Sequence, residues 1–281
     1  MFRKPYQTDV SDVVWSHIEP WLPKPAETGR PRVHTLREIV NAVFYITVTG
    51  CQWRNLPNEF PPWKTVYHYF RCWRLSGLWE RIHTSLREQL RCKAGRDPQP
   101  SAAIIDSQSV KTTSVGGVRG FDGGKKVNGR KRHLLVDTQG LLIKAKVHAA
   151  NILDSNISDR DGAKLLLEGC GSCFPRISHL WADSGYNGQL GTWITQNVGW
   201  RLEIVKHWWT GVKGTWAPIE APPLELPSGF HVLPRRWVVE RTFSWLGNNR
   251  RSSKDYERSA DASETFILVS MIRLMAKRLA L

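Results

Sequence analysis

The chain has 281 residues, enough for a substantial core with a smaller accessory unit, and its 40 Lys plus Arg against 25 Asp plus Glu leave a formal charge of +15. With 41% hydrophobic residues it is globular, and so large a basic excess points to an acidic polymer as partner. The longest apolar stretch, Phe266 to Ile272, falls far short of the ~20 residues that span a bilayer, and the first residues lack an apolar signal core, so a membrane segment is excluded.

The five cysteines at 51, 72, 92, 170 and 173 show no framework spacing, which predicts a reducing, cytosolic setting. Cys170-Gly-Ser-Cys173 is half of a zinc site at most. No second pair exists, His179 is only a loose third ligand, and we read these as structural thiols.

In chain order, Val10, Val13, Val14, Ile18 and Trp21 repeat at helical spacing until Pro23 to Pro31 break the pattern. A second helix is predicted from Thr35 to Thr49, stopped by Gly50, a third over about Lys64 to Leu75 and a fourth over about Leu78 to Leu90. Short helices carrying Arg71, Arg74, Arg81, Arg87 and Arg91 have the general character of a helix-turn-helix DNA reader. The polar segment Lys93 to Pro100 reads as a linker, which divides the chain into a helical unit, residues 1–95, and a second unit, residues 96–281.

Beyond Pro100 the pattern changes to strands. Ala102-Ala-Ile-Ile-Asp106 is a short apolar run ending in a carboxylate, the mark of a strand buried on both faces. Arg132 to Asp137 and Leu141 to Ala149 form a predicted hairpin about Thr138-Gln-Gly140, followed by a helix from Ser158 to about Leu167. The strand Ser178 to Asp183 again ends in an acid, a helix lies near Gly188 to Gln196, and a fifth strand covers Arg201 to Lys206. His207 to Leu233, rich in Trp, Pro and Gly, is read as an irregular loop; one of Trp208, Trp209 or Trp216 there could stack on an unpaired base. Helix returns after Pro234, and a second amphipathic helix spans Ala260 to Leu281. The order describes a mixed α/β sheet.

Phosphodiester hydrolysis with two metal ions needs a few carboxylates converging on one point. Asp106 and Asp183 close their strands, so neighbouring strands would bring both acids to one sheet edge. Glu240 would complete the set from a helix where Arg236, Glu240 and Ser244 share one face and Val239, Phe243 and Leu246 the adjoining apolar one. Each acid alone is an ordinary cap residue; three in separate local patterns are not.

Two basic runs flank these acids. Lys111 to Arg132 holds seven basic residues against Asp122 alone, and Arg235 to Arg258 seven against Glu240, Asp255 and Glu257. Lys111, Lys125, Lys126, Arg130, Lys131 and Arg132 lie in a glycine-rich segment where backbone can approach a phosphate closely, so we read them, with Arg236, Arg241, Arg250, Arg251 and Lys254, as DNA contacts. The glycines at 116, 117, 120, 123 and 124 do not form a P-loop, since no Gly-Lys-Ser/Thr opens a helix there, which disfavours an ATPase.

Ile105-Asp-Ser-Gln-Ser-Val-Lys111, Gly123-Gly-Lys-Lys-Val-Asn-Gly-Arg-Lys-Arg-His133, Trp181-Ala-Asp-Ser-Gly-Tyr186 and Trp237-Val-Val-Glu-Arg-Thr-Phe-Ser-Trp-Leu246 resemble the motif blocks of insertion-sequence-5-type DDE transposases. In the first unit Gly29-Arg-Pro-Arg32, Thr49-Gly-Cys-Gln-Trp-Arg-Asn-Leu-Pro57 and Phe60-Pro-Pro-Trp63 are similar to that family's helical region, so nearly the whole chain is covered. The resemblance implies an RNase H-like core, a five-stranded mixed sheet with flanking helices, behind a small all-helical DNA-binding domain. It implies Asp106, Asp183 and Glu240 as the catalytic acids, holding two Mg²⁺ ions with Mn²⁺ as a substitute. Asn151-Ile-Leu-Asp154 resembles a further family motif, with Asp154 capping or orienting. Asn248-Asn249 departs from the pattern, since relatives usually show an arginine and an aromatic there.

The implied activity is cleavage at transposon terminal inverted repeats and transfer of the freed 3′-hydroxyl to target DNA, by a nucleoid-associated protein acting as a dimer or higher oligomer on double-stranded DNA. Two other readings stand beside it: a structure-selective nuclease of the same fold that never joins strands, and a DNA-binding repressor whose core has lost catalysis.

Overall fold

The computed structural model describes residues 3–25, 27, 31–150, 159–205 and 235–281. Helix α1 (Asp12–Ile18) begins where the Ser11 side chain accepts the Val14 amide, and α2 (Leu36–Thr49) where Thr35 accepts that of Glu38. Gly50 ends α2 with φ of 71°, and a Cβ there would meet Arg250 Cβ at 3.1 Å. Glycine is needed both for the left-handed turn and for the close approach of a segment two hundred residues away. Helices α3 (Trp63–Leu75) and α4 (Leu78–Lys93) follow, joined through Ser76 and Gly77. All four helices fall where the apolar spacing predicts them.

Among the described residues six strands form one sheet: β1 (Ala102–Lys111), β2 (Gly120–Asp122), β3 (Val127–Asp137), β4 (Leu142–Ala149), β5 (His179–Ala182) and β6 (Arg201–Ile204). Five of them lie in the spatial order β4-β3-β1-β5-β6, with β1 antiparallel to β3 and parallel to β5, and β2 pairs antiparallel with the start of β3. This is the mixed sheet of an RNase H-like α/β fold.

Two strands run further than expected. β1 continues five residues past Asp106, because Ser107 to Lys111 pair with β3 and the polar side chains that hid the strand are engaged on its faces. β3 starts at Val127 rather than Arg132, made possible by Gly129, where a Cβ would lie 1.9 Å from the Val110 carbonyl oxygen. The predicted β3–β4 hairpin is present, its turn held by Asp137, whose carboxylate accepts from the Gln139 and Leu141 amides.

The pleat separates two cores. Ala103, Ile105, Leu135 and Leu180 face α5 (Asp159–Leu167), α6 (Cys170–Cys173) and α7 (Leu190–Asn197). Ile104, Leu134, Val136 and Trp181 face α8 (Arg236–Gly247), α9 (Ala260–Leu279) and the four N-terminal helices. The helices before residue 95 therefore share a core with the sheet, and Arg91 of α4 is ion-paired with the buried Asp137 of β3. Among the described residues no helix is long and apolar enough to cross a membrane.

His83 lies fully buried on α4, where burial and then the charge of Arg87 push it down to about 3. An unfolded histidine titrates near ~6.5, so between these values the unfolded chain binds the extra proton. Stability is complete above about pH 6.5 and falls as the pH drops toward 3. His133, also pushed down to about 3 by burial, acts in the same direction. The urea midpoint is expected to fall between pH 7 and pH 4.5, and His83→Leu to flatten that fall; equal falls in both proteins would rule the histidine out.

Candidate active site

Asp106 and Asp183 come together through strand register. Ile104 pairs with Trp181 across parallel β1 and β5, and continuing two residues along both chains sets Asp106 beside Asp183. Side chains alternate, so Asp106 shares the face of Ile104 and Asp183 that of Trp181, the face covered by α8 and α9. Asp106 is thus not a strand-end residue; it sits mid-strand, at the level where β5 has ended.

Each aspartate is fixed by local backbone. The Ser107 amide donates to Asp106 Oδ1 at 2.7 Å. Asp183 opens a short 3-10 turn, Ser184–Tyr186, and its Oδ1 accepts from the Gly185 amide at 2.8 Å. A Cβ on Gly185 would lie 3.0 Å from that oxygen, which accounts for the small residue in Asp183-Ser-Gly-Tyr186. Tyr186 is buried in the opposite core, and its hydroxyl lies 3.4 Å from His133 Nδ1. One Asp183 oxygen therefore caps a turn while the other is left to face α8.

Arg236 stands between the acids. Its Nη2 is 3.7 Å from Asp183 Oδ2 and its Nε 3.5 Å from Glu240 Oε1, four residues on along the same helix face. Glu240 is half exposed. Burial, and after it the negative charge of Asp183, raise Asp106 to about 6, against the pull of the Ser107 amide, Arg236 and Lys125. A buried carboxylate that resists ionisation beside a second one, with an arginine between that second acid and Glu240, is a donor set short of positive charge.

That observation fits a divalent cation with oxygen ligands. Asp106 and Asp183 are the side chains that would hold it, and Glu240 lies across Arg236 from Asp183. Among the described residues no three His, Cys, Asp or Glu side chains already close on one point. A fourth acid, Asp159, was not singled out by sequence. It starts α5 on the other face, where it accepts from Ser107 Oγ at 2.8 Å and Lys131 Nζ at 3.0 Å. It buttresses β1 directly beneath Asp106.

The basic residues divide sharply. Arg130 is buried, paired with Asp255 at 3.1 Å, and donates to the carbonyls of Val118, Glu257 and Arg258. Arg132 is buried and donates to the carbonyls of Ser252 and Lys254. Arg251 is buried against Glu257 and the Cys51 carbonyl. These three were expected on DNA, and the structure corrects that: their guanidinium groups are spent inside the protein. Lys131 is likewise covered, between Asp159 and Asp122. Lys111, Lys126, Arg250 and Lys254 are exposed, and Lys125 is exposed with its ammonium 3.1 Å from the Ser107 carbonyl, beside Asp106. Arg241 is half buried against Trp237 and Trp245.

The cysteines are all free, and Cys170 is buried with its thiol directed at the Leu166 carbonyl. His179, the loose third zinc ligand, instead meets Glu203 at 2.7 Å. Asp154, Pro234 and the tryptophans at 208, 209 and 216 lie outside the described residues.

Residues 97–210 and 222–275 match the family described as "Transposase DDE domain". The chain belongs to the DDE transposase family. Residues 10–83 match a second description, "Putative transposase of IS4/5 family". A curated relative, "Insertion element IS402 uncharacterized 16.2 kDa protein" of Burkholderia cepacia, is 32% identical over 114 residues, covering 38% of this chain and 76% of the relative. The insertion-sequence resemblance read from the motif blocks is thereby confirmed. In this transposase the DDE-family match spans both aspartates and α8, and the IS4/5 match spans α1 to α3 and the start of α4.

Proposed function

We propose that the transposase hydrolyses the phosphodiester bond at the end of its element through Asp106, Asp183 and Glu240, and then joins the freed 3′-hydroxyl to target DNA. The observation that carries this reading is the register placing Asp106 beside Asp183 on the face that α8 covers. The two aspartates would hold two Mg²⁺ ions, with Mn²⁺ as a substitute, and Glu240 would complete their ligands; such ions activate water and stabilise the leaving oxygen.

The chain's own side chains do the rest. Arg236, which lies between Asp183 and Glu240, would offer its guanidinium to the phosphate. Lys125, exposed beside Asp106, holds the adjoining backbone, while Lys111, Lys126, Arg250 and Lys254 supply further phosphate contacts. Residues 1–95 act as the DNA-holding unit and residues 96–281 as the catalytic one, and bringing two element ends together calls for at least a dimer.

The test is incubation of the purified chain with a duplex carrying the DNA that borders its gene, a target plasmid and Mg²⁺. Joined products with the element's 3′ end covalently on the plasmid are expected. Cutting without joining would make the protein a nuclease, and DNA binding without either would make it a repressor.

A further inference from the structure

A second stripe of α8 adjoins the one that carries Arg236 and Glu240. Trp237, Arg241 and Trp245 recur every four residues, so they stack along one face. The Arg241 guanidinium lies 4.4 Å from the Trp237 ring and 4.8 Å from that of Trp245. Arg278, from the last turn of α9, lies 4.0 Å from the Trp245 ring. The result is a ladder of alternating aromatic and cation, with Trp237 itself 41% exposed.

The ladder ends in a cavity of about 400 Å³ lined by Lys93, Gln139, Arg241, Trp245 and Arg278 among others. Three of these side chains are cations drawn from α4, α8 and α9. None of the three forms an ion pair with another described residue. Lys93 Nζ rests at 3.1 Å on the Leu279 carbonyl and Arg241 Nη2 at 2.8 Å on that of Gln139, while the Arg278 guanidinium donates no hydrogen bond to any described residue. Burial, and then the charge of Arg241, lower Arg278 below its usual value. Like charges gathered into one recess without a carboxylate are stabilised by an anion.

Position identifies the anion's chemistry. Arg241 follows Glu240 directly, and the helix rises about 1.5 Å per residue, so the cavity at Trp245 lies about 7.5 Å along the axis from Glu240. That is about two steps of B-form duplex, at ~3.4 Å each. Planar guanidinium groups held by stacking present their forked N–H edges, which suit phosphate oxygens.

We propose that this cavity binds a backbone phosphate of the DNA next to the bond being cut, with Arg241 and Arg278 as its donors and Trp237 and Trp245 as the platform that orients them. The proposal rests on the DNA substrate inferred above. It assigns a function to Arg278, which sequence alone leaves among the ordinary charges of a helix end.

The test uses the full chain, a fluorescein-labelled random-sequence duplex and EDTA, so that binding is read without catalysis. Anisotropy measured across a series of NaCl concentrations gives the slope of log affinity against log salt. Each phosphate contact contributes about 0.9 to that slope, so R241Q/R278Q is expected to flatten it by about 0.9, R278Q alone by about half of that, and R241K/R278K to restore most of it. R278Q sits on the last turn of α9 and keeps the test decisive should the double variant fold poorly. An unchanged slope in R278Q, with the unaltered chain binding DNA, would overturn the phosphate site and leave the transposase reading standing. Failure of the unaltered chain to bind DNA at all would sink both.

Discussion

Asp106→Asn protein is expected to bind DNA with unchanged affinity in EDTA and to cut an end-bearing duplex in Mg²⁺ more than ~100-fold more slowly than the unaltered chain. The amide keeps the size and the Ser107 hydrogen bond of the aspartate and removes only its charge. Asp106 is already the acid most pressed toward neutrality, raised to about 6 by burial and by Asp183, so its charge is the one the site is built to recover when a cation arrives. Asp183→Asn should match it in the cutting assay. Because Asp183 also caps the Ser184–Tyr186 turn through Gly185, and asparagine retains an acceptor oxygen, its loss should be catalytic rather than structural. Glu240→Gln should fall to the same level, although Glu240 lies on Arg236 in the free protein. Any of the three that cuts within about tenfold of the unaltered chain would remove that acid from the site.

Arg130→Met should instead destabilise the fold, by about 3–5 kcal/mol in urea unfolding, and leave the salt slope of DNA binding where it was. Arg130 is 1% exposed and its pair Asp255 is 2% exposed. Removing the guanidinium strands a buried carboxylate and frees the carbonyls of Val118, Glu257 and Arg258. The tie also crosses the molecule, joining β3 to the segment that leads into α9. Lys111→Gln makes the contrast: exposed at the end of β1, it should lower the salt slope by about 0.9 with little change in stability. Normal stability with a reduced slope in Arg130→Met would return that arginine to the DNA.

Much of the architecture was legible because its elements are periodic. Helices α1 to α4 follow apolar spacing closed by Ser11, Thr35 and Gly50, and the β3–β4 hairpin follows alternation interrupted at Gly140. The second half of β1 was not legible, because Ser107, Gln108 and Ser109 have no hydrophobic signature. Ser107 and Ser109 are held in the sheet by Asp159 and Asp122, acids 52 and 13 residues away in the chain. The three acids could be found by type and local pattern, yet what relates them, the β1–β5 register and the arginine between Asp183 and Glu240, exists only once the sheet is assembled.

The basic runs misled in an instructive way. Local charge density predicts a solvated or DNA-bound surface, and it carries no trace of Asp255 or of the Ser252 carbonyl, more than a hundred residues on, which draw Arg130 and Arg132 inside. Conversely, Lys93 and Arg278 stand 185 residues apart and meet in one cavity. Charge read along a chain gives the sign of the partner; which cations reach it depends on what the fold has already used.

The most direct measurement is Mn²⁺ binding followed by electron paramagnetic resonance on the unaltered chain and on Asp106→Asn, Asp183→Asn and the pair together. Tight binding to the unaltered chain is expected, with a loss of more than about tenfold in affinity in either single variant and no specific ion in the double variant. Undiminished Mn²⁺ binding by the double variant would contradict it, since the ion would then be held by residues other than the two aspartates that strand register sets side by side.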